Sequence, residues 1–285
     1  DGAPEARNGA SATSLIADRS LPPLKAGDDR LADYKPSKIE PLSKNSSLDQ
    51  EKEKLWKAIG DDPDTKHWFK EHMDEFEKRQ RENPDTLSKD EVKETYAQIT
   101  RLLSDKTSKL LTPNERESLS QQIMLQAAMP ETISQGQHAT CSVAAVEVRT
   151  YTRNPSQAAR LVTDIALDGK YHATRGPAVE IDPKTVDPES IKSAEDPANR
   201  PHASEIFEKT AVNLMLADKN ARDHTKLRYE QRDPSKSGGS GEAIMDYSGD
   251  KPVKVSDFPS LNDDEVVDIN SFITGKDESK CFIVS

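Results

Sequence analysis

The residue types best suited to chemistry lie together at Gln135-Gly136-Gln137-His138-Ala139-Thr140-Cys141-Ser142-Val143-Ala144-Ala145. A thiol acts as a nucleophile when thiolate is favoured, when substrate can reach it and when a donor stands ready for the oxyanion. Thr140 is a good N-cap type, and in that role it places Cys141 at the first position of a helix. The partial positive charge of a helix N-terminus favours thiolate over thiol. Gln135, six residues earlier on the feeding loop, carries an amide that can fold back beside the sulfur. Gly136 lets that loop approach closely. Acyl transfer through a thioester is the chemistry these types serve.

The segment resembles the papain-like cysteine peptidases, the calpains among them. The shared pattern is Gln135-Gly136, four further residues and then Cys141 opening a helix, with Ala144-Ala145 small and apolar behind it. The resemblance covers roughly fifteen residues. It implies an α+β fold of papain-like type, with a helical half and antiparallel strands, and a peptide or protein substrate. Cys141 would be the nucleophile and Gln135 the oxyanion donor, with no cofactor and no metal. It also implies a histidine base on a strand about 130–150 residues after the Cys. From Cys141 that window is about 271 to 291, and residues 271 to 285 contain no histidine. The base and its Asn or Asp partner are therefore expected beyond Ser285.

Histidines within the chain offer less. His138 shares the loop with the thiol, but it precedes the Cys, the reverse of the family's order. His172 falls in an expected hairpin, His224 leads into a strand, and His202 stands at a helix start, where the dipole disfavours imidazolium. His67 and His72 are five apart on one helix and share a face poorly, which argues against a metal site. Asp61-Asp62-Pro63-Asp64 and Asn262-Asp263-Asp264-Glu265 lack the ligand alternation of a calcium loop and read as helix N-terminal acids. Ser237-Gly238-Gly239-Ser240-Gly241 lacks the lysine of a phosphate loop.

Elements able to position the thiol follow from the hydrophobic pattern. Residues 1–50, with five prolines and a single aromatic, cannot bury enough apolar area and read as a disordered head. Residues 51–130 form a helical region, a collar or propeptide-like cover. Leu55, Ile59, Trp68, Phe69, Met73 and Phe76 recur at helical steps, as do Val92, Tyr96, Ile99 and Leu102, and Thr112-Pro113 opens a fourth helix. Residues 131–285 form the papain-like domain, expected to be incomplete at its end. There the pattern predicts a helix over 140–151, another from Asn154-Pro155 to a cap at Gly169, and a hairpin across Arg175-Gly176. A solvated loop follows at 182–201, then a helix over 203–217, strands at 227–230 and 253–255, and a flexible loop at Ser235–Glu242. A helix over 263–273 and a buried strand at Cys281–Val284 close the chain.

Composition bounds the function. Forty basic and fifty-one acidic residues give a net charge of -11, which argues against nucleic acid, since phosphates need clustered Lys and Arg. No run approaches the roughly 20 apolar residues of a membrane span. Two cysteines 140 residues apart do not make a disulfide scaffold. The hydrophobic share of 33% rises to about 37% with glycine, below the roughly 45–50% of a typical globular domain. Two other readings stand beside the enzyme: a non-catalytic interaction protein with an inactive papain-like module, and a helical adaptor with no sheet over 203–285.

Overall fold

The computed structural model describes residues 34–35, 37–136, 138, 140–185, 187, 189–192, 200–231, 242–257 and 261–276. The expected strand at Cys281–Val284 and residues 1–33 of the expected head lie outside them. The described part of that head is tied to the body. Tyr34 donates to Asp218 at 2.8 Å and sets its ring edge on Phe272, while the Ser43 amide and hydroxyl both donate to the buried Glu94 carboxylate.

Four capped helices come first: α1 (Leu48–Ala58), α2 (Pro63–Glu82), α3 (Lys89–Ser104) and α4 (Pro113–Ala128). Ser47, Asp62, Ser88 and Thr112 each accept a hydrogen bond from the helix's third amide, which satisfies one of its orphan donors. The apolar stripes read from the sequence turn inward, with Leu55, Phe69, Met73, Phe76, Val92, Tyr96, Ile99 and Leu102 all buried. Asp62 and Asn262 serve as N-caps, so the acidic runs around them begin helices.

A short 3-10 turn at Pro130–Thr132 leads to α5 (Cys141–Arg153) and α6 (Pro155–Asp168). Gly169 ends α6 at φ +66°, the left-handed cap that glycine supplies at little cost. β1 (Lys170–His172) and β2 (Ala178–Glu180) form the antiparallel hairpin. After the four-residue α7 (Glu189–Lys192) comes α8 (His202–Asp223), longer at its C-terminal end than the sequence pattern predicts. An Asp218–Arg222 pair carries it to His224, which closes it in the left-handed region at φ 55°. α8 is buried continuously from His202 to Leu216, packed against α4, α5, α6 and the strands. A helix buried on all sides is an interior element, so its Glu205, Glu208 and Lys209 require internal partners.

The second sheet has three antiparallel strands in the order β3 (Leu227–Gln231), β4 (Glu242–Asp246), β5 (Val253–Ser256). β4 corrects the sequence reading, which ended a flexible loop at Glu242 and placed no strand there. Its Ala243-Ile244-Met245 run is buried in the middle of the sheet, paired with β3 on one side and β5 on the other. This sheet also overturns the adaptor reading, which predicted none over 203–285. α9 (Asp263–Thr274) completes the described fold, and its Ile269, Phe272 and Ile273 join a core running continuously from Leu55. The architecture is α+β, mostly helical, with two small antiparallel sheets.

Candidate active site

Cys141 is the first residue of α5 and is exposed, with no acidic side chain in the helix's first turn. Thr140 holds the N-cap position, as its type suggests, but makes no side-chain capping bond. Its buried hydroxyl lies instead beside the Glu208 carboxyl, without closing a hydrogen bond of normal geometry.

The loop before the thiol is a tight turn. The His138 amide donates to the Gln135 carbonyl at 3.2 Å, and Gly136 between them takes φ +60°. That is the left-handed region, where a side chain is strained and glycine is not. Gln135 and His138 thus stand at the two ends of one turn, three residues before Cys141.

Beneath this turn is a buried polar network that the sequence reading missed. The Nδ1 of His138 lies 2.9 Å from the Glu242 carboxylate at the start of β4. Arg200, just before α8, reaches Glu242 at 3.1 Å through one guanidinium nitrogen and Glu208 of α8 at 2.7 Å through the other. All three charged side chains are 3% exposed or less. One turn earlier on α8, Ser204 donates to Glu147 of α5 at 2.7 Å and accepts from Gln126 of α4 at 2.7 Å. Gln122 accepts from the Ala203 amide, filling an orphan donor at the start of α8. Helices α4, α5 and α8 and strand β4 therefore meet on polar contacts directly behind residues 138–141.

The electrostatics follow from burial and partners. Burial alone would raise the Glu242 carboxyl, but the His138 imidazole and the Arg200 guanidinium hold it below the ordinary carboxylate range. Burial pushes Glu208 up to about 7, with Arg200 opposing. Burial, and then the nearby Glu208, drive the Glu147 carboxyl well above its usual range. Burial works against the Arg200 charge, yet Glu208 and Glu242 together keep it firmly protonated.

The remaining histidines sit elsewhere. His67 and His72 lie on α2, and His72 stacks on Trp68 and bonds its carbonyl. His172 is an exposed residue of β1. His202 opens α8 as the sequence suggests, but its Nε2 is engaged by the Pro183 carbonyl at 2.6 Å, and burial lowers its pKa. His224 caps the far end of α8, sixteen residues from Glu208 and so about 24 Å along the axis. Among the described residues no group of three or more His, Cys, Asp and Glu is placed to hold a metal ion.

Arg200, Glu208 and Glu147 left little trace in the sequence, because their pairing joins positions 42 to 61 residues apart, or 8 apart across a helix start. Glu242 had one usable signal, the apolar Ala243-Ile244-Met245 run that follows it. No known protein family, curated protein or solved structure matches the chain.

Proposed function

We propose that the chain performs cysteine-dependent acyl transfer, hydrolysis of a peptide or amide bond being the leading case. Cys141 is the nucleophile and Gln135 the oxyanion donor, joined by the Cys141 backbone amide. One observation carries this reading: the Cys141 thiol is exposed at a helix N-terminus. Cysteine is among the most buried residue types, and an unreactive one serves as a small core hydrophobe. An exposed thiol on a rigid helix start, facing no acid in that first turn, suits attack on a carbonyl carbon instead. Gly136 supports the Gln135 assignment, because its left-handed turn brings the chain back on itself just ahead of the thiol. The fold does not select among peptidase, amidase and transferase chemistries, which differ in the acyl acceptor.

The test is iodoacetamide alkylation followed residue by residue with mass spectrometry, Cys281 being the second thiol in the same chain. The native protein is expected to alkylate at Cys141 at least about tenfold faster than at Cys281 between pH 6 and 7, and Cys141→Ala to abolish amide hydrolysis. Equal rates, or modification of Cys141 only after unfolding, would remove the enzyme reading.

A further inference from the structure

We infer that His138 is the general base of the Cys141 site and that Glu242, clamped by Arg200, is the positioning carboxylate that orients its ring. This rests on the acyl-transfer reading and makes the site self-sufficient within the described chain, with no need of a histidine beyond Ser285.

Chain geometry supports it. His138 and Cys141 are three positions apart, a span of at most about 11 Å even when fully extended. The segment is anchored at its start, through a carboxylate that the Arg200 guanidinium holds. His138 is held on Glu242 and Thr140 lies beside Glu208, while Arg200 bonds both carboxylates. The imidazole is partly exposed and Cys141 is exposed, so solvent reaches both. Contact with a carboxylate through Nδ1 selects the tautomer that carries its proton on Nδ1 and its lone pair on Nε2. That arrangement, base plus orienting carboxylate, is the one nucleophilic acyl transfer requires. The turn that pins His138 is the same one that contains Gln135, so donor and base move as a unit.

The step balances with water as the second substrate. His138 Nε2 takes the thiol proton as Sγ bonds to the carbonyl carbon, and the carbonyl π pair becomes the oxyanion. Collapse breaks the bond to the leaving amine or alcohol, which receives the proton from Nε2, and a thioester remains. Water then loses a proton to Nε2, attacks the thioester and releases the acid and the thiol. Glu242 stays ionised throughout.

The probe is p-nitrophenyl acetate on the full chain, which releases p-nitrophenolate and leaves an acetyl group on the acylated cysteine. His138→Asn keeps an amide donor for Glu242, guarding against misfolding, but removes the base. His138→Ala is the second variant, assayed with and without added imidazole. Acylation of Cys141 near pH 7 is expected to fall roughly 10²–10⁴-fold in both variants, with imidazole restoring part of the rate in His138→Ala. Glu242→Gln is expected to change the pH profile of acylation rather than scale it uniformly. Wild-type rates and an unchanged pH profile in both His138 variants would overturn the base assignment and leave Cys141 reactive. A wild-type Cys141 acetylated no faster than Cys281 would overturn the acyl-transfer reading itself.

Discussion

Glu147 should make the protein lose stability as pH rises, and Glu147→Gln should remove that loss. The carboxyl is fully buried on α5, accepts from the Ser204 hydroxyl at 2.7 Å and lies near Glu208. Burial first and Glu208 second raise it well above its ordinary 4.5, so the folded state keeps a proton that the unfolded chain releases. Where the native state binds more protons, stability is greatest below the unfolded pKa and declines with rising pH, until the folded pKa is passed. One retained proton gives a slope approaching 1.4 kcal/mol per pH unit. That slope holds from the unfolded pKa up to the folded one, so the loss accumulates with each pH unit in that window. Glutamine is nearly isosteric, still accepts from Ser204 and carries no charge at any pH. Groups whose pKa is lowered, such as His202, contribute an opposite slope, but they are common to both proteins and cancel in the comparison. Urea denaturation at half-unit steps from pH 5 to 8 measures the effect. Wild type and Glu147→Gln are expected to agree within about 1 kcal/mol at pH 5 and to diverge steadily above it. Parallel stability curves would show that Glu147 is ionised in the fold and that this account of the buried cluster fails.

Arg200→Met strands Glu208 and Glu242 in the interior and is expected to cost about 3–5 kcal/mol at pH 8. The loss should be smaller at pH 5, where Glu208 takes up a proton, and denaturation at the two pH values checks the difference. Gly176→Ala places a methyl 2.9 Å from the Phe272 ring and 3.1 Å from the Ala173 methyl. It should lower stability by about 1–3 kcal/mol in thermal melts, since the packed hairpin and α9 must part to admit it.

Legibility in the sequence tracked the range of the interaction. Caps at Thr112 and Asn262, the stop at Gly169 and the stripes of α2 and α3 were all readable, because each depends on residues three or four apart. The same local logic found Cys141 at a helix start and Gln135 with Gly136 ahead of it. It failed where partners are distant. β4 was hidden because only three apolar residues mark it and Glu242 was attached to the glycine-rich loop before it. A strand that short is specified by its neighbours β3 and β5 more than by its own composition. The cap at Thr140 was read from residue type alone, and tertiary context overrode it by drawing the hydroxyl toward Glu208. Chain order alone argues against His138 as a base. Its importance rests on a carboxylate 104 positions later, which no local pattern reports.

The position of the charged network is itself an argument about function. Three buried carboxyl groups and a guanidinium are a poor way to gain stability, because desolvation offsets most of their attraction and apolar residues of similar size commonly do as well. Around α3 the core is mainly apolar, with Phe69, Phe76, Tyr96, Leu102 and Ile123 at full burial, while ion pairs are also largely buried at Arg160–Asp164 and Glu205–Lys209. The polar cluster is concentrated where α4, α5, α8 and β4 converge behind residues 138–141. Those residues form a turn and a helix start, structures that backbone bonding alone holds loosely. Anchoring on Arg200 ties them to α8 and β4, the kind of support that a reacting group would need to keep its geometry. Under the acyl-transfer proposal, the nucleophile and its base are the groups such support would hold in place.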